Sequence, residues 1–526
     1  MLKYFFVTFF CGILTYANPL KISARQIGPT EEDRRLVTEK LLNHPVILKA
    51  LDHKDYRVIA TTLEDRPFSS GVDYIVHIFN YTDATMLRIT GPSDFSILPK
   101  IQMTIEDVAA SPEEYEEAVQ VLSDNSDFSQ GLISGDLVAY EPMPSTLASP
   151  DTFRGIGGPR IVGVGLRSQT DPNIHEIVGV NLSNMEVVRF ENKAPPTSLA
   201  TLAVCGLPNA GQAVTGKGRA GSAQIDINDD TGPLWNFIVI RPSASSGSKG
   251  SGLEIRNVYY KGKLILARAH TPILNVQYSG GVCGPYRDWS YAENYFNAVG
   301  SDEAPGIRIA SQPPTTIFDT GNDRGNFRGV AIYQSEDKVT LVTEFSAGWY
   351  RYASQFELYN DGTIKPIFQF SAVRNSCVCY THHHHVYWRF DFDLDGKPNS
   401  AMVSNGSEFR AVDYETMFRK NEDNKYWRIT SSDGNSIYDV IPGDNDGVAD
   451  YYGVADAWLL RYKSNEIDDN RIRTSTRAAL NSFVTGENIF NQDLVMWYSG
   501  HFVHSHDGMQ KDHEGELGPT LTPITR

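Results

Sequence analysis

The run His382-His383-His384-His385, continued by Val386-Tyr387-Trp388-Arg389-Phe390-Asp391-Phe392-Asp393, sets four imidazoles at the head of a segment that alternates strictly in character. At the two-residue period of a strand, His382, His384, Val386, Trp388, Phe390, Phe392 and Leu394 share one face. His383, His385, Tyr387, Arg389, Asp391, Asp393 and Asp395 share the other. Imidazoles at i and i+2 lie roughly 6.5 Å apart along a strand, near enough to converge on one ion, and imidazole nitrogen suits copper and zinc. Because the first face is otherwise apolar, this spacing selects His382 and His384 as a ligand pair over His383 and His385. The bland alternative is a solvated histidine cluster. A purification tag is disfavoured by the internal position and the length of only four.

Such a strand needs a large β structure around it, and the chain from about Gly206 onward has that texture, polar and glycine-rich with strands and turns throughout. Leu253 to Tyr260 and Lys263 to Ala269 form a predicted hairpin through Lys261-Gly262, and Tyr352 to Tyr359 pairs with Thr363 to Phe370 through Asn360-Asp361-Gly362. The Ser/Gly tract from Ser243 to Gly252 reads as a flexible loop.

Two smaller helix-plus-sheet modules precede this region. Thr30-Glu31-Glu32-Asp33 reads as a capping box ahead of Leu36, Val37, Leu41 and Leu42, followed by strand-like stretches at Tyr74 to Phe79 and Ala84 to Thr90. Ser111-Pro112-Glu113-Glu114 repeats the helix-start signal ahead of Tyr115, Ala118, Val119 and Leu122, with strands expected at 161–166, 177–182 and 186–190. The predicted class is α+β: small modules over 18–105 and 106–205, then a large antiparallel β-sandwich over 206–526.

With 526 residues, 41% of them hydrophobic, the chain can bury a sizeable core. A formal charge of -17 argues against nucleic acid or anionic membranes as partners and suits cationic ligands. Lys3, the apolar stretch from Tyr4 to Leu14 and Thr15-Tyr16-Ala17 read as a signal peptide over 1–17, and no later segment supplies the roughly 20 apolar residues of a membrane span. The sequons at Asn80, Asn181 and Asn405 fit an extracellular, glycosylated protein. Beyond Cys11 there are Cys205, Cys283, Cys377 and Cys379, for which three pairings exist. Cys377 and Cys379, two apart on an expected strand, point the same way and do not bond each other; a bridge from Cys283 to one of them is expected. A Cys-x-Cys thiolate metal site is the lesser alternative in an oxidising compartment.

Taken together, these motifs resemble the copper-containing, quinone-dependent amine oxidases, over most of the chain beyond the signal segment. The resemblance is carried by Thr381-His382-His383-His384 through Arg389-Phe390-Asp391-Phe392-Asp393, by Asp493-Leu494-Val495-Met496-Trp497-Tyr498 through Phe502-Val503-His504, and more loosely by Ile317-Phe318-Asp319-Thr320-Gly321. It implies copper on His382, His384 and His504, with His501 and His506 as rivals for the third place, and a structural divalent ion, usually calcium, on Asp391, Asp393 and Asp493. It further implies Asp319 as catalytic base, with Tyr295-Phe296-Asn297 as a rival match. Tyr350, in Ser346-Ala347-Gly348-Trp349-Tyr350-Arg351, falls where the family makes topaquinone. Trp349 stands in place of the family's Asn and Arg351 in place of an acid, so a bulkier neighbour and a cation are expected at the phenol. The implied reaction is oxidative deamination of a primary amine by dioxygen to aldehyde, ammonia and hydrogen peroxide, in a secreted homodimer. The competing readings are a copper-binding relative without the quinone, a multicopper oxidase, which 13 histidines barely furnish, and a non-catalytic scaffold.

Overall fold

The computed structural model describes residues 20–524 apart from 66–70, 105–107, 143–145, 148–157, 172–173, 190–204, 210–214, 248, 280–282, 407, 420–424, 454, 468–476 and 505–515. The expected signal segment and His506 lie outside the described residues.

Local chemistry sets the first elements. The helix Glu31–Leu42 starts at Thr30, whose hydroxyl accepts from the Asp33 amide at 3.1 Å while its own amide donates to Asp33 Oδ2 at 2.8 Å. Val37 and Leu41 are buried against Tyr74, Val76 and Ile78 of a four-stranded sheet, whereas Leu36 faces outward. Each such aliphatic burial stabilises by roughly 1.5–3 kcal/mol. Pro112–Asp124 repeats the design: Ser111 and Glu114 form the capping box, and Ala118 and Leu122 pack on Val162, Val164 and Val178 of a five-stranded sheet.

The remainder is a sandwich. Among the described residues one sheet has ten strands and the other eleven. Among the described strands of these two sheets the pairings are antiparallel except Ile307–Ala310 on Val330–Gln334, a parallel pair that the expectation of an antiparallel sandwich did not include. The strand Lys21–Ile27, assigned by sequence to the first module, pairs with Ser222–Asp229 and so belongs to the sandwich.

In the ten-stranded sheet the histidine strand, His382–Phe392, lies between Lys263–Tyr278 and Leu494–His504, buried on both faces. Its register sets Tyr278 and His504 on either side of His382, and Asn275 and His501 on either side of His385. The facing sheet presents the hairpin of Tyr350–Tyr359 and Ile364–Ala372.

Two disulfides, Cys205–Cys379 and Cys283–Cys377, tie down the segment that feeds this strand. The expected bridge from Cys283 and the absence of a 377–379 bond agree with the structure; Ser376–Cys379, however, is a short 3-10 turn rather than a strand, and the turn splays the two thiols to different partners. The Ser243–Gly252 tract also departs from its reading as a flexible loop. Ser243, Ser245 and Ser251 are buried, Ser243 Oγ donates to Glu293 at 2.9 Å, and Gly250, at φ +78, lies where a Cβ would come within 2.8 Å of the Tyr291 amide. Asn80 is buried, with its amide donating to Asp83 at 3.0 Å, so that sequon leaves no space for a glycan, whereas Asn405 is exposed.

Candidate active site and metal centres

His382, His384 and His504 are all buried, and they meet on one face of the central strand pair. Ring centres lie 4.9 Å apart for His382 and His384 and 4.6 Å apart for His382 and His504. His382 Nδ1 donates to the Tyr380 carbonyl at 2.6 Å, which leaves Nε2 with the lone pair a metal needs. Neither ring nitrogen of His384 has a hydrogen-bond partner. Burial, more than the adjacent imidazoles, holds this ring well below the usual histidine range and therefore neutral, the ligating form. An unpaired buried polar atom costs about 1–3 kcal/mol, and three imidazoles are a donor type that suits a transition metal, although among the described residues only the three aspartates Asp391, Asp393 and Asp493 bring ligand atoms all within 4.8 Å of one another. The space bounded by these rings, Tyr350, Phe370 and Phe502 is about 10 Å³, the size of one ion or water. His501, the rival ligand, lies on the opposite face, where it contacts His385.

Tyr350 closes the site. Ala347 and Tyr350 pair across the two-residue loop Gly348-Trp349, and Gly348 supplies the φ of +59 that so tight a hairpin requires. The Tyr350 ring lies edge-on to His384 at 4.7 Å and 5.7 Å from His382. Its hydroxyl is hydrogen-bonded to that of Tyr278, which in turn accepts from Trp349 Nε1 at 3.0 Å. Trp349 thus braces the phenol through Tyr278. Arg351 turns away: its guanidinium grips Asp323 at 2.9 and 3.0 Å. The expected cation at the phenol is therefore already neutralised, and desolvation instead pushes the Tyr350 hydroxyl well above the ordinary phenol range.

The expected base lies at the surface. Asp319 is exposed in the short helix Ile317–Thr320, where its Oδ2 accepts from the Thr316 amide at 2.7 Å and hydroxyl at 3.1 Å. It is a helix cap, the role that its turn-like neighbours offered as the alternative. Asn297, the rival position, is also exposed and is bridged through its backbone to Thr315.

A different carboxyl is wired to the tyrosine cluster. Asp288 is buried, its Oδ2 accepts from Tyr352, whose ring lies 5.8 Å from that of Tyr350, and its Oδ1 has no hydrogen-bond partner. Burial pushes its pKa up to about 8. No sequence signal marked it: Asp288 sits alone between Arg287 and Trp289, and only the fold gives it depth.

On the far face, Asp391, Asp393 and Asp493 bring one carboxylate oxygen each within 4.8 Å of one another. Oδ1 of each is buried without a hydrogen-bond partner, and burial together with Asp391 lifts Asp393 to about 7. Lys397 touches Asp493 at 2.8 Å and Arg389 touches Asp391 at 3.2 Å. An all-oxygen set of this kind fits a hard divalent cation.

One cleft, about 850 Å³, is lined by residues of both N-terminal modules and of the 216–219 and Tyr291 stretches, with no histidine in its lining. A second, about 220 Å³, lies where the second module meets the sandwich and reaches Ser346, Gly348 and Arg351 at the turn before Tyr350.

No protein-family model matches the chain, and no curated protein matches it by sequence. Solved structures do match. A copper-containing benzylamine oxidase from Hansenula polymorpha is 12% identical with a TM-score of 0.58, over 96% of this chain and 92% of that one. An Aspergillus nidulans amine oxidase is 13% identical with a TM-score of 0.58, over 95% and 88%. Pichia pastoris lysyl oxidase is 12% identical with a TM-score of 0.56, over 95% and 91%. Identity at this level speaks to architecture alone, and on that architecture the chain has the fold of the copper-containing amine oxidases.

Proposed function

We propose that this protein is a secreted, copper-dependent amine oxidase that converts a primary amine, with dioxygen and water, to an aldehyde, ammonia and hydrogen peroxide. The observation that carries the reading is the edge-on approach of Tyr350 to His384 at 4.7 Å, beside ring nitrogens that nothing else satisfies. His382 through Nε2, His384 and His504 would hold copper, and Asp391, Asp393 and Asp493 calcium. Copper there would supply redox chemistry toward dioxygen, and a topaquinone made from Tyr350 the carbonyl that an amine attacks.

The chain's own residues do the rest. Tyr278 and Trp349 fix the direction of the Tyr350 hydroxyl. Asp288, with a pKa near 8 and one oxygen free of hydrogen bonds, holds a proton beside the tyrosine cluster and is the base in preference to the exposed Asp319. The 220 Å³ cavity behind the Gly348 turn carries Glu116 and Glu141 in its lining, which attract an ammonium group. Two disulfides support an oxidising compartment, and the family likeness supports a homodimer.

A second reading, a copper-binding relative without the quinone, draws on the 10 Å³ space, too small for an amine beside Tyr350. One experiment divides the two. Metal-free protein is loaded with copper under oxygen, and the Tyr350 peptide is weighed and stained for quinone while peroxide release from primary amines is followed. A mass increment with peroxide supports the oxidase; an unaltered tyrosine in copper-loaded protein removes it.

A further inference from the structure

Tyr350 and Arg351 are neighbours on one strand, so their side chains leave it on opposite faces. Tyr350 points at the copper histidines on the inner face, between the two sheets. Arg351 points the other way, into the lining of the 220 Å³ cavity, and is nevertheless buried. Its guanidinium has two edges in use. Nε and Nη2 donate to the two oxygens of Asp323 at 2.9 and 3.0 Å, while Nη1 donates to the carbonyls of Gly348 and Tyr350 at 3.1 and 3.0 Å. Asp323, Asn294 and Glu344, all buried, continue the chain behind it. Asn294 Nδ2 donates to Asp323 Oδ1 at 2.9 Å and to Glu344 Oε1 at 2.6 Å, and Glu344 Oε2 accepts the Ile317 amide at 2.8 Å.

This chain bears on the loop that carries Tyr350. The Gly348 carbonyl lies beyond the last rung of the ladder, Ala347 on Tyr350, and a carbonyl left there without a donor would lose its hydration uncompensated. Because Asp323 holds the guanidinium by two parallel bonds, the plane of the fork is fixed and Nη1 has one position to offer. The two carbonyls must meet it there, which sets the shape of the turn and the point at which the phenol leaves the backbone. From the other side the Trp349 carbonyl accepts the Val373 amide at 2.8 Å. A lysine could place its single ammonium on Asp323 or on the carbonyls but lacks the planar fork that joins both.

We propose that Arg351 is a positioning residue for Tyr350: held by Asp323, it fixes the Gly348-Trp349 turn and thereby the place at which the phenol meets His384. Arg351 acts through the backbone of the turn, and its part in the chemistry rests on the oxidase reading of Tyr350.

The test compares full-length wild type with Arg351→Lys and Arg428→Lys. Arg428 makes the same two-bond pair with Asp439, at 2.7 and 2.8 Å, in the strand Tyr426–Ser431, so its variant shows what such an exchange does elsewhere. Lysine keeps a cation beside Asp323, so no buried carboxylate is left without a counter-charge. In metal-free protein, amide hydrogen exchange across residues 346–352 should quicken by about 10–100-fold in Arg351→Lys, the worth of one charge-assisted hydrogen bond, and stay at the wild-type rate in Arg428→Lys. At saturating copper under oxygen, the mass change of the Tyr350 peptide should slow by about 100-fold in Arg351→Lys, as when a reacting group moves by roughly an ångström, with copper affinity unchanged. General loosening would lower copper affinity and conversion together; positioning lowers conversion alone. A wild-type Tyr350 that never changes in mass removes the oxidase reading, and hydrogen exchange then decides the role of Arg351 in the turn by itself. A crystal structure of wild type gives a reading free of any folding defect, with Nη1 expected within hydrogen-bond reach of both carbonyls. Wild-type exchange or wild-type conversion in Arg351→Lys, a conversion loss that follows copper affinity, or a guanidinium away from the two carbonyls overturns the proposal.

Discussion

Replacing Asp288 with Asn tests both the burial of this carboxyl and its part in the chemistry. In the folded chain it titrates near 8 rather than at the usual 3.8, because it is sealed among aromatic rings with Tyr352 as its hydrogen-bond donor. The unfolded chain releases the proton near 4 and the folded chain near 8, so folding binds a proton throughout that window. This group's contribution to stability is fully present below the unfolded value and is lost as pH rises through about 8. At 1.36 kcal/mol per pH unit, the rise from 3.8 to about 8 amounts to roughly 5–6 kcal/mol between the two ends of the window. Asn is permanently neutral and can still accept from Tyr352, so the variant should match wild type near pH 4 and become progressively more stable than wild type up to about pH 8. Urea unfolding of both proteins at pH 4.5, 6, 7.5 and 9, with disulfides intact, measures the divergence. Parallel stability curves would refute the argument. In the same variant, amine turnover should fall by about 10²–10⁴, the usual worth of a proton-transferring group, while copper still binds.

Four further outcomes follow from the site. His384→Asn should abolish stoichiometric copper binding at the inner face and leave Tyr350 unmodified by mass, since that ring's nitrogens have no other partner. Asp319→Ala should cost about 0.5–1 kcal/mol in thermal unfolding, as loss of a capping contact does, and leave turnover unchanged; a large activity loss would restore Asp319 as the base. Calcium at 100 times its Kd should stabilise wild type by about 2.7 kcal/mol, whereas Asp393→Asn should show no calcium gain, and its metal-free form should unfold later than wild-type metal-free protein because a buried like charge is gone. Replacing Cys283 and Cys377 with Ser opens a link across 94 residues, for which chain entropy gives roughly 4–5 kcal/mol, read as a fall in the urea midpoint.

The parts legible in the sequence were those whose periodicity is strict. The capping boxes at Thr30 and Ser111 form as read, and the alternation of His382 to Asp393 sorts His382 and His384 onto the face opposite Asp391 and Asp393. What escaped depended on tertiary depth. Asp319 and Asp288 are alike as sequence, single aspartates near turns, yet one caps a surface helix and the other is sealed inside. The serines of the Ser243–Gly252 tract read as solvent-loving, but Glu293 and the Pro242 carbonyl give their hydroxyls partners in the interior. Arg351 looked like a loose charge because its counter-ion, Asp323, is 28 residues away.

The histidine strand also constrains how this protein can vary. Inserting or deleting one residue upstream of His382 would shift every later side chain to the other side of the sheet, presenting His383 and His385 to Tyr350 and driving carboxylates into the aromatic layer. A two-residue change keeps each side chain on its own side, moving it by about 7 Å along the strand. An even step within this strand would therefore keep the core buried while carrying the imidazoles away from Tyr350, and an odd one would lose both.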